Sequence, residues 1–384
     1  MNAAAGTAAE SMRNALRAAS RGLIEREVLV ESIVLAAVAH EHVLVIGPPG
    51  TAKSQAVRRV AEAIGGRYFE YLLGRFTEPS EIFGPIDLRR LREGAVETET
   101  AGMLPEADVA FLDEIFRGST AILNTLLGIL NERVFRRGHS VRPCPLRVCV
   151  GAANDLPQDE TLAAFADRFL LRVFVDPLPD PRLEDLLEGG WALGGGEARP
   201  DAAPIAHVDA LAAAASAVDM ATVRPHLAHA LRVLRAAGIA LSDRRMVKVQ
   251  RLMAAAATLA GRDQATPADL WTLVLAVPTR EQQASAREAL RDVLAASHNE
   301  SLPAAAEEAS LGPLARAARL AAAGRVALQD RPGDGAADAV ADWRLRLEAV
   351  AREIDAGFAP TDLPGELAAV RAEIVSALGS GDRG

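Results

Sequence analysis

One stretch of the sequence combines the residue types that hold a chain of phosphate groups. It reads GPPGTAKS and follows an apolar run at residues 43–46, which predicts a buried strand. In such a loop the backbone N–H groups point at phosphate oxygens, the lysine adds a positive charge, and the hydroxyl remains to hold Mg²⁺. A helix over residues 53–64 would direct its positive end at the same phosphates. The predicted phosphate-binding residues are Gly47, Pro48, Pro49, Gly50, Thr51, Ala52, Lys53 and Ser54.

Ala52 departs from the usual pattern of such loops, which has a second glycine at this position. Alanine accepts helical backbone angles but not strained ones, so we expect the loop to form only if Ala52 lies near the right-handed helical region. The alternative for the whole stretch is a strand-to-helix turn, rich in glycine and proline, that binds nothing.

Two adjacent carboxylates end a second apolar run, VAFLDE at residues 109–114. Asp113 would hold Mg²⁺ through water, together with Ser54, and Glu114 would orient and polarise the attacking water in a phosphoryl transfer. The alternative is an exposed acidic turn at the end of a strand. The phosphate loop earlier in the chain makes that alternative the weaker one.

Two further polar residues follow predicted elements of the same region. Asn154 ends a strand over residues 146–153, where an amide can hydrogen-bond the attacking water or the terminal phosphate without adding charge. Taken alone, Asn154 is better explained as an ordinary turn residue. Arg168 ends a short helix over residues 162–169, where it could pair with Asp167 and nothing else.

The elements around these residues indicate an α/β core. Apolar periodicity predicts a helix over residues 25–40 that leads into the first strand, and an amphipathic helix over residues 119–132. A further strand is predicted at residues 67–73. The segment of residues 74–105 is longer than a simple connection between strands, which predicts an insertion with its own structure.

Inside this insertion, residues 77–81 are typical of a helix N-terminus, and residues 86–91 and 95–100 could pair across a turn at Glu93-Gly94. A hairpin over residues 134–150 is predicted to turn near Gly138-His139. We interpret His139 as a solvated side chain rather than a ligand.

Composition limits the class of protein. With 384 residues, of which 50% are hydrophobic, the chain has room for two or three domains. The net charge of −9 comes from interleaved charges and argues against a non-specific nucleic-acid binder. Cys144 and Cys149 lie in a predicted β region without metal-ligand spacing, so we interpret them as small buried hydrophobes and expect a cytoplasmic protein.

The beginning of the chain, residues 1–21, is rich in alanine, serine and arginine and resembles a transit peptide in composition. It lacks the apolar core of a secretory signal, and no later stretch is long and apolar enough for a membrane span. We interpret residues 1–22 as an arm with a frayed start.

The second half of the sequence is almost purely helical. Prolines at residues 176–181 end the core, and residues 189–204 predict a mobile linker anchored by Trp191. Helices are predicted near residues 208–219, 224–237, 243–260 and 267–277, and apolar periodicity returns at residues 339–354 and 367–378. Ser242 is a good N-cap for the third helix, and Arg244 beside it could reach a terminal phosphate.

The sequence resembles the MoxR family of AAA+ ATPases at four motifs, GPPGTAKS, VAFLDEI, GAAND and ADRF, and at the stretch GRFTEPSEIFGPID. It is most similar to the RavA-like branch, in which alanine before the loop lysine is usual, so Ala52 supports the resemblance. The similarity covers residues 18–177 closely and residues 208–276 more loosely. The small β-rich module of that branch has no counterpart in the sequence.

The resemblance implies an α/β fold with an AAA+ P-loop core, in which a parallel sheet lies between helices, followed by an all-α lid and a helical C-terminal extension. We therefore divide the chain into an arm (1–22), the core (23–181), a linker (182–205), the lid (206–278) and the extension (279–384). Within the core, residues 74–105 would be the helix-2 insert and residues 134–150 the hairpin before sensor 1. Both elements face the pore of the ring in this clade.

Residue by residue, the family pattern places Lys53 and Ser54 at the Walker A positions and Asp113 and Glu114 at the Walker B positions. Asn154 matches sensor 1. These matches imply ATP as the nucleotide and Mg²⁺ as its metal.

Arginines complete the pattern. Arg168 matches the arginine finger that such ATPases supply to the neighbouring subunit, with Arg172 as the second choice. Arg244 matches sensor 2, and the adjacent Arg245 is its alternative. Whether sensor 2 acts on the nucleotide of its own or of the neighbouring subunit stays open.

The resemblance also implies a function and partners. We expect a homo-oligomer, as a hexameric ring, that uses ATP hydrolysis to remodel a client protein together with a protein carrying a von Willebrand factor A (VWA) domain. One alternative is a scaffold that assembles on ATP and hydrolyses it incidentally. The other, a nucleic-acid motor, rests on the basic hairpin residues Arg136, Arg137 and Arg142.

Overall fold

Five parallel strands form one sheet with the phosphate-loop strand inside it. The computed structural model describes residues 3–92, 96–138, 140–178, 187, 203–311, 313–332, 337–358 and 363–379. The strands in spatial order are β2 (Tyr68–Leu72), β3 (Val109–Asp113), β6 (Val148–Ala153), β1 (Val43–Ile46) and β7 (Leu171–Phe174). A separate antiparallel hairpin consists of β4 (Val134–Arg137) and β5 (Ser140–Pro143).

Strand β1 lies between β6 and β7, with Val43 opposite both Val150 and Leu171. All four residues of β1 are buried, as expected for a parallel strand covered on both faces. Because β3, β6 and β1 are neighbours and run in the same direction, their carboxyl ends meet at one edge of the sheet.

Helices cover the sheet and make up most of the rest of the described chain. Those of the first half are α1 (Ala3–Ser20), α2 (Glu27–Ala39), α3 (Lys53–Ile64), α4 (Pro79–Phe83), α5 (Leu88–Arg92), α6 (Thr120–Glu132) and α7 (Glu160–Ala166). Those of the second half are α8 (Ile205–Ser216), α9 (Val223–Ala236), α10 (Asp243–Leu259), α11 (Thr272–Leu275), α12 (Arg280–Ala289), α13 (Arg291–Leu294), α14 (Pro303–Ser310), α15 (Pro313–Gln329), α16 (Ala337–Gly357) and α17 (Gly365–Gly379). Short 3₁₀ segments lie at Leu104–Glu106, Ile115–Arg117 and Pro267–Asp269.

Several predicted elements are confirmed within a few residues. Helix α6 begins after Ser119, the N-cap, whose hydroxyl accepts the N–H of Ile122. The hairpin before β6, helix α10 and the two last helices also lie where the periodicity places them. The turn residue His139 and nearly all of the predicted linker, including Trp191, lie outside the described residues.

The prediction of a frayed arm over residues 1–22 is wrong for most of that segment. Helix α1 contacts α3 and α8, and it buries Ala8, Met12 and Ala19 almost completely. Small side chains form most of this buried face, so the helix lacks the strong apolar stripe by which amphipathic helices are recognised.

The insertion also differs from its prediction. Helix α4 has the expected N-terminus, a capping box between Glu78 and Glu81. In the described part of the segments 86–91 and 95–100, an isolated bridge joins Ile86 to Thr98 in place of the expected pair of strands. Residues 88–92 form α5 instead, because the Asp87 carboxylate caps the helix and leucine and arginine favour it. The turn residues Glu93 and Gly94 are not described.

The fourth predicted lid helix is interrupted. A 3₁₀ turn at Pro267–Asp269 precedes the short α11. The buried Asp269 carboxylate accepts the N–H of Thr266 and pairs with Arg262, which fixes a capped turn where continuous helix was expected.

Buried contacts join the lid helices to the sheet. The fully buried carboxylate of Glu41, next to β1, pairs with Lys248 at 2.6 Å and with Arg251 at 3.0 Å, both on α10. Cys144 and Cys149 are free and buried, as predicted, and burial raises the pKa of Cys144 to about 11. Within the described ranges, no helix has the length and apolar character needed to cross a membrane.

Candidate functional site

The phosphate loop leaves β1 in a conformation that needs glycine at its first position. A Cβ on Gly47 would lie 2.2 Å from the carbonyl oxygen of Val175, so the close approach to the end of β7 excludes any side chain. The hydroxyl of Thr51 donates to Pro48 O at 2.9 Å and closes the turn. Lys53 is buried at the start of α3, and its Nζ donates to Gly47 O and Pro48 O, each at 2.8 Å.

The prediction for the backbone of Ala52 is wrong. Ala52 lies in the left-handed helical region, with φ 58° and ψ 24°, and not near the right-handed region that the sequence predicted. Gly50 is also left-handed, with φ +78°. For alanine this conformation costs about 1 kcal/mol, and successive N–H groups of such left-handed turns form concavities that bind anions. The loop therefore forms with strain at Ala52.

The carboxylate pair lies at the sheet edge beside this loop. Asp113 ends β3, and its Oδ1 accepts the N–H of Glu114 at 2.9 Å. Glu114 is left-handed, with φ 51°, a conformation that turns the chain sharply and that occurs preferentially at functional sites. Asn154, which follows β6, donates from Nδ2 to Glu114 Oε1 at 3.1 Å.

Electrostatics tie the loop lysine to these carboxylates. Burial lowers the pKa of Lys53, and the charges of Asp113 and Glu114 oppose that effect. The sequence-predicted residues 47–54, 113, 114 and 154 therefore form one group around the carboxyl ends of β1, β3 and β6.

Two residues at this group were missed by the sequence reasoning. Arg117 lies one turn after Glu114, and its Nε is 3.2 Å from Glu114 Oε2. The i, i+3 spacing in DEIFR is the sequence signal that could have indicated this pair.

Arg26 is the second of these residues, and it is buried. Its guanidinium donates to Thr51 O in the loop and to Asp176 O after β7, both at 2.9 Å. Burial lowers its pKa. Arg26 therefore links the loop to the edge of the sheet, a contact between distant segments that leaves no pattern in the local sequence.

The predicted arginines form a second group where α7, β7 and α10 meet. Arg245 is only 1% exposed, and its Nε is 2.7 Å from Asp167 Oδ1. Its other two nitrogens donate to the carbonyl oxygens of Phe169, Leu170 and Ala276 at 2.6–2.8 Å. Arg245 is thus fully engaged in packing.

Arg168, Arg172 and Arg244 are the poorly paired members of this group. Within the described chain, Arg168 Nε, Arg172 Nε and Nη1, and Arg244 Nη1 are buried without a hydrogen-bond partner. Burial lowers the pKa of Arg168, and the nearby charge of Arg244 lowers it further. Arg172 is 3% exposed and points one N–H at Ala166 O, so it cannot extend to another subunit.

These residues fit a nucleoside triphosphate and its metal. The loop and Lys53 provide N–H donors and positive charge of the kind that polyphosphates require, and Arg168 and Arg244 in the second group carry further donors without a partner. Ser54 and Asp113 provide hydroxyl and carboxylate oxygens, the ligands that Mg²⁺ prefers.

Comparisons with known proteins agree with this geometry. Residues 10–213 match the family described as the MoxR domain in MoxR-vWA-beta-propeller ternary systems, and residues 219–289 match an AAA lid domain. The lid match includes α12 and therefore ends beyond the predicted lid boundary at residue 278.

Two curated relatives and one solved structure illustrate the similarity. The uncharacterized protein MJ0812 of Methanocaldococcus jannaschii is 35% identical over 64% of this chain, and the chaperone MoxR1 of Mycobacterium tuberculosis is 29% identical over 49%. The chain spans 66% and 51%, respectively, of these relatives. The crystal structure of a candidate ATPase from Cytophaga hutchinsonii superposes with a TM-score of 0.62 at 16% identity, over 76% of this chain and 95% of that one.

The domain matches cover more than half of the chain and include both the nucleotide-binding core and the lid. These matches do not distinguish the RavA-like branch, which stays a prediction. The fold is the expected parallel sheet between helices, with helical domains after it. The chain belongs to the MoxR family of AAA+ ATPases.

Proposed function

We propose that the chain hydrolyses ATP with Mg²⁺ in a homo-oligomeric ring and uses the cycle to remodel a client protein. The contact between Asn154 and Glu114, beside the loop that carries Lys53, is the observation that carries this proposal. In this contact Glu114 is the general base and Asn154 is a neutral group that can orient the attacking water. Both residues lie at the sheet edge where the phosphates would bind.

The reaction follows from these positions. Glu114 accepts a proton as the water oxygen attacks the γ-phosphorus, and the bond to the bridging oxygen of ADP breaks, giving ADP and inorganic phosphate. Asn154 orients the water and Lys53 stabilises the charge on the phosphate oxygens. Ser54 and Asp113 would hold Mg²⁺, which supplies further positive charge to those oxygens.

The arginines extend the site beyond one subunit. Arg168 would act as the finger for the neighbouring subunit, and Arg244 as sensor 2. The underpaired guanidiniums of both support this assignment, because each retains donors for a phosphate. Burial of Arg172 and Arg245 argues against either as an alternative.

Partners are proposed from the family description, which names vWA and β-propeller proteins alongside the MoxR domain. We propose a VWA-domain partner and a hexameric ring for this chain. We also propose its division into the core (23–181), the lid (206–278) and the extension (279–384). Nucleic acid is not proposed as a partner, because two of the basic hairpin residues already have acidic partners. Arg136 pairs with Glu132 at the end of α6, and Arg142 pairs with Glu97 in the insertion.

The variant Glu114→Gln tests the proposal. The amide keeps the size of the side chain but cannot accept the proton, so we expect ATP binding near that of the wild type and turnover reduced on the order of 10² or more. Equilibrium binding of a fluorescent ATP analogue and phosphate release measure the two quantities. Full turnover by this variant would contradict the assignment of the base, and a wild-type protein that binds ATP without hydrolysing it would favour the scaffold alternative.

A further inference from the structure

The guanidinium of Arg26 donates to three backbone carbonyl oxygens from separate parts of the core. Arg26 lies immediately before α2 and is only 6% exposed. Its Nε donates to Thr51 O at 2.9 Å, Nη1 to Glu25 O at 2.7 Å and Nη2 to Asp176 O at 2.9 Å. One buried side chain therefore ties the phosphate loop to the segment before α2 and to the segment after β7.

The contact with Thr51 O acts on the peptide group that links Thr51 to Ala52. Since a peptide group is planar and trans, its C=O and N–H point in opposite directions. The N–H of Ala52 therefore points away from Arg26, and it keeps that direction as long as the carbonyl is held. Left-handed residues such as Gly50 and Ala52 turn successive N–H groups into a concavity that binds anions. Arg26 thus fixes the direction of one predicted phosphate donor.

Alanine at position 52 makes this contact necessary. Ala52 has φ 58°, and an alanine prefers the right-handed region by about fivefold or more, whereas glycine populates both regions about equally. Rotation of the peptide between Thr51 and Ala52 would relieve this strain and turn the N–H away from the phosphates. Strained conformations persist where the surrounding structure holds them, and a hydrogen bond from a charged donor to a carbonyl is strong enough to do so.

We propose that Arg26 is a positioning residue that holds the Thr51–Ala52 peptide in its phosphate-binding orientation and so compensates for alanine in place of glycine at position 52. This inference rests on the proposed function, because it requires the loop to bind the phosphates of ATP. Arg26 contributes to ATP affinity through the loop backbone and needs no contact with the nucleotide.

A double-mutant cycle in Glu114→Gln protein, which should bind ATP without turnover, tests the inference. Arg26→Met removes the three donors and keeps the aliphatic length. We expect it to raise the Kd of a fluorescent ATP analogue about tenfold or more when Ala52 is present. In combination with Ala52→Gly the same exchange should raise Kd only about two- to threefold, because glycine keeps the left-handed conformation without help. A purely structural contribution of Arg26 would raise Kd by the same factor in both cases.

Thermal unfolding of each variant shows whether it is folded. If Arg26→Met does not fold, Arg26→Lys takes its place, because it keeps the buried charge while a single nitrogen replaces the three that contact separate carbonyls. Its loss of affinity should again be larger with Ala52 than with Ala52→Gly.

Arg344→Met is the matched control. Nη2 of Arg344 donates to Leu378 O at 2.9 Å, which is also a contact from a guanidinium to a backbone carbonyl, but between α16 and α17. This exchange should leave Kd unchanged. An unchanged Kd in the folded Arg26 variant, or an equal rise with Ala52 and with Ala52→Gly, would overturn the inference. Failure of the Glu114→Gln protein itself to bind the analogue would instead contradict the proposed function, which separates the two cases.

Discussion

Glu114 is contacted at both carboxylate oxygens, by Asn154 at Oε1 and by Arg117 at Oε2. The two contacts differ in kind. Asn154 is neutral and extends from a buried strand, whereas the Arg117 side chain is 61% exposed and is free to leave. An exposed ion pair of this kind contributes about 1 kcal/mol or less. In the proposed reaction, Arg117 therefore competes weakly with the attacking water for Glu114.

Replacing Arg117 by alanine should raise kcat about two- to fivefold, because the base no longer has to leave an ion pair before it meets water. KM for ATP should stay unchanged, since Arg117 contacts none of the predicted phosphate-binding residues in the structure. Steady-state phosphate release separates the two constants.

The control for this change is Arg136→Ala, which breaks a similarly exposed ion pair with Glu132 in the hairpin and should leave kcat as it is. A fall in kcat for Arg117→Ala would mean that the guanidinium orients the base rather than competing for it.

At the scale of elements, α2 connects the phosphate-loop strand to the C-terminal helices. Glu31 of α2 is buried, and its Oε2 accepts the N–H of Ala305 at 2.7 Å, in the first turn of α14. Burial raises the pKa of Glu31 to about 8, against the opposing effect of the backbone N–H groups. The folded protein therefore holds a proton here that the unfolded chain releases above its ordinary pKa of 4.5.

The stabilising effect of this proton is complete below pH 4.5 and is lost as the pH rises towards 8, because the unfolded chain binds fewer protons in that interval. In the wild type we expect the free energy of unfolding to fall by an amount on the order of 3 kcal/mol between pH 5 and pH 8. In Glu31→Gln this fall should be absent. The glutamine oxygen can still accept the N–H of Ala305. Urea unfolding at several pH values measures the slope.

Glu62→Gln on α3 is the control, because it is the same exchange at an exposed carboxylate. Parallel pH profiles for the wild type and Glu31→Gln would contradict the assignment of Glu31.

Elements with strong periodicity could be predicted from the sequence, and elements built from small residues could not. The pattern at α6 combines leucines at helical spacing with a serine cap, so both its existence and its beginning follow from local chemistry. Helix α1 buries mostly alanines, and α5 is set by a single cap, so neither carries a comparable signal.

The same division holds in the candidate site. The types and order of the residues predict that Lys53, Glu114 and Asn154 end up together, because parallel strands bring their carboxyl ends to one edge. The contacts of Arg26 join segments far away in the chain, and local propensity contains no information about such contacts, which explains why Arg26 was missed. The left-handed backbone of Ala52 was missed because residues other than glycine rarely adopt it.

At the scale of the whole molecule, the lid shares a hydrophobic core with one face of the sheet. The core that contains β1 and α2 continues into α10 and α14, whereas the other face packs against α6 and the hairpin. Helices α15, α16 and α17 have a separate cluster around Trp343 and Leu347. Core and lid are thus joined both by apolar packing and by the ion pairs of Glu41 and Arg245.

The central claim is that each active site is shared between two subunits, and mixing two inactive variants tests it most directly. Glu114→Gln lacks the base but presents Arg168, and Arg168→Ala lacks the finger but retains the base. Each alone should be nearly inactive. Random mixing in equal amounts brings an intact base and an intact finger together at about a quarter of the interfaces.

We therefore expect the mixture to recover about a quarter of the wild-type ATPase rate per subunit, and the wild-type rate to rise with protein concentration. A mixture as inactive as its two components, or an Arg168→Ala protein with the wild-type rate at every concentration, would contradict the claim and leave a site complete within one subunit.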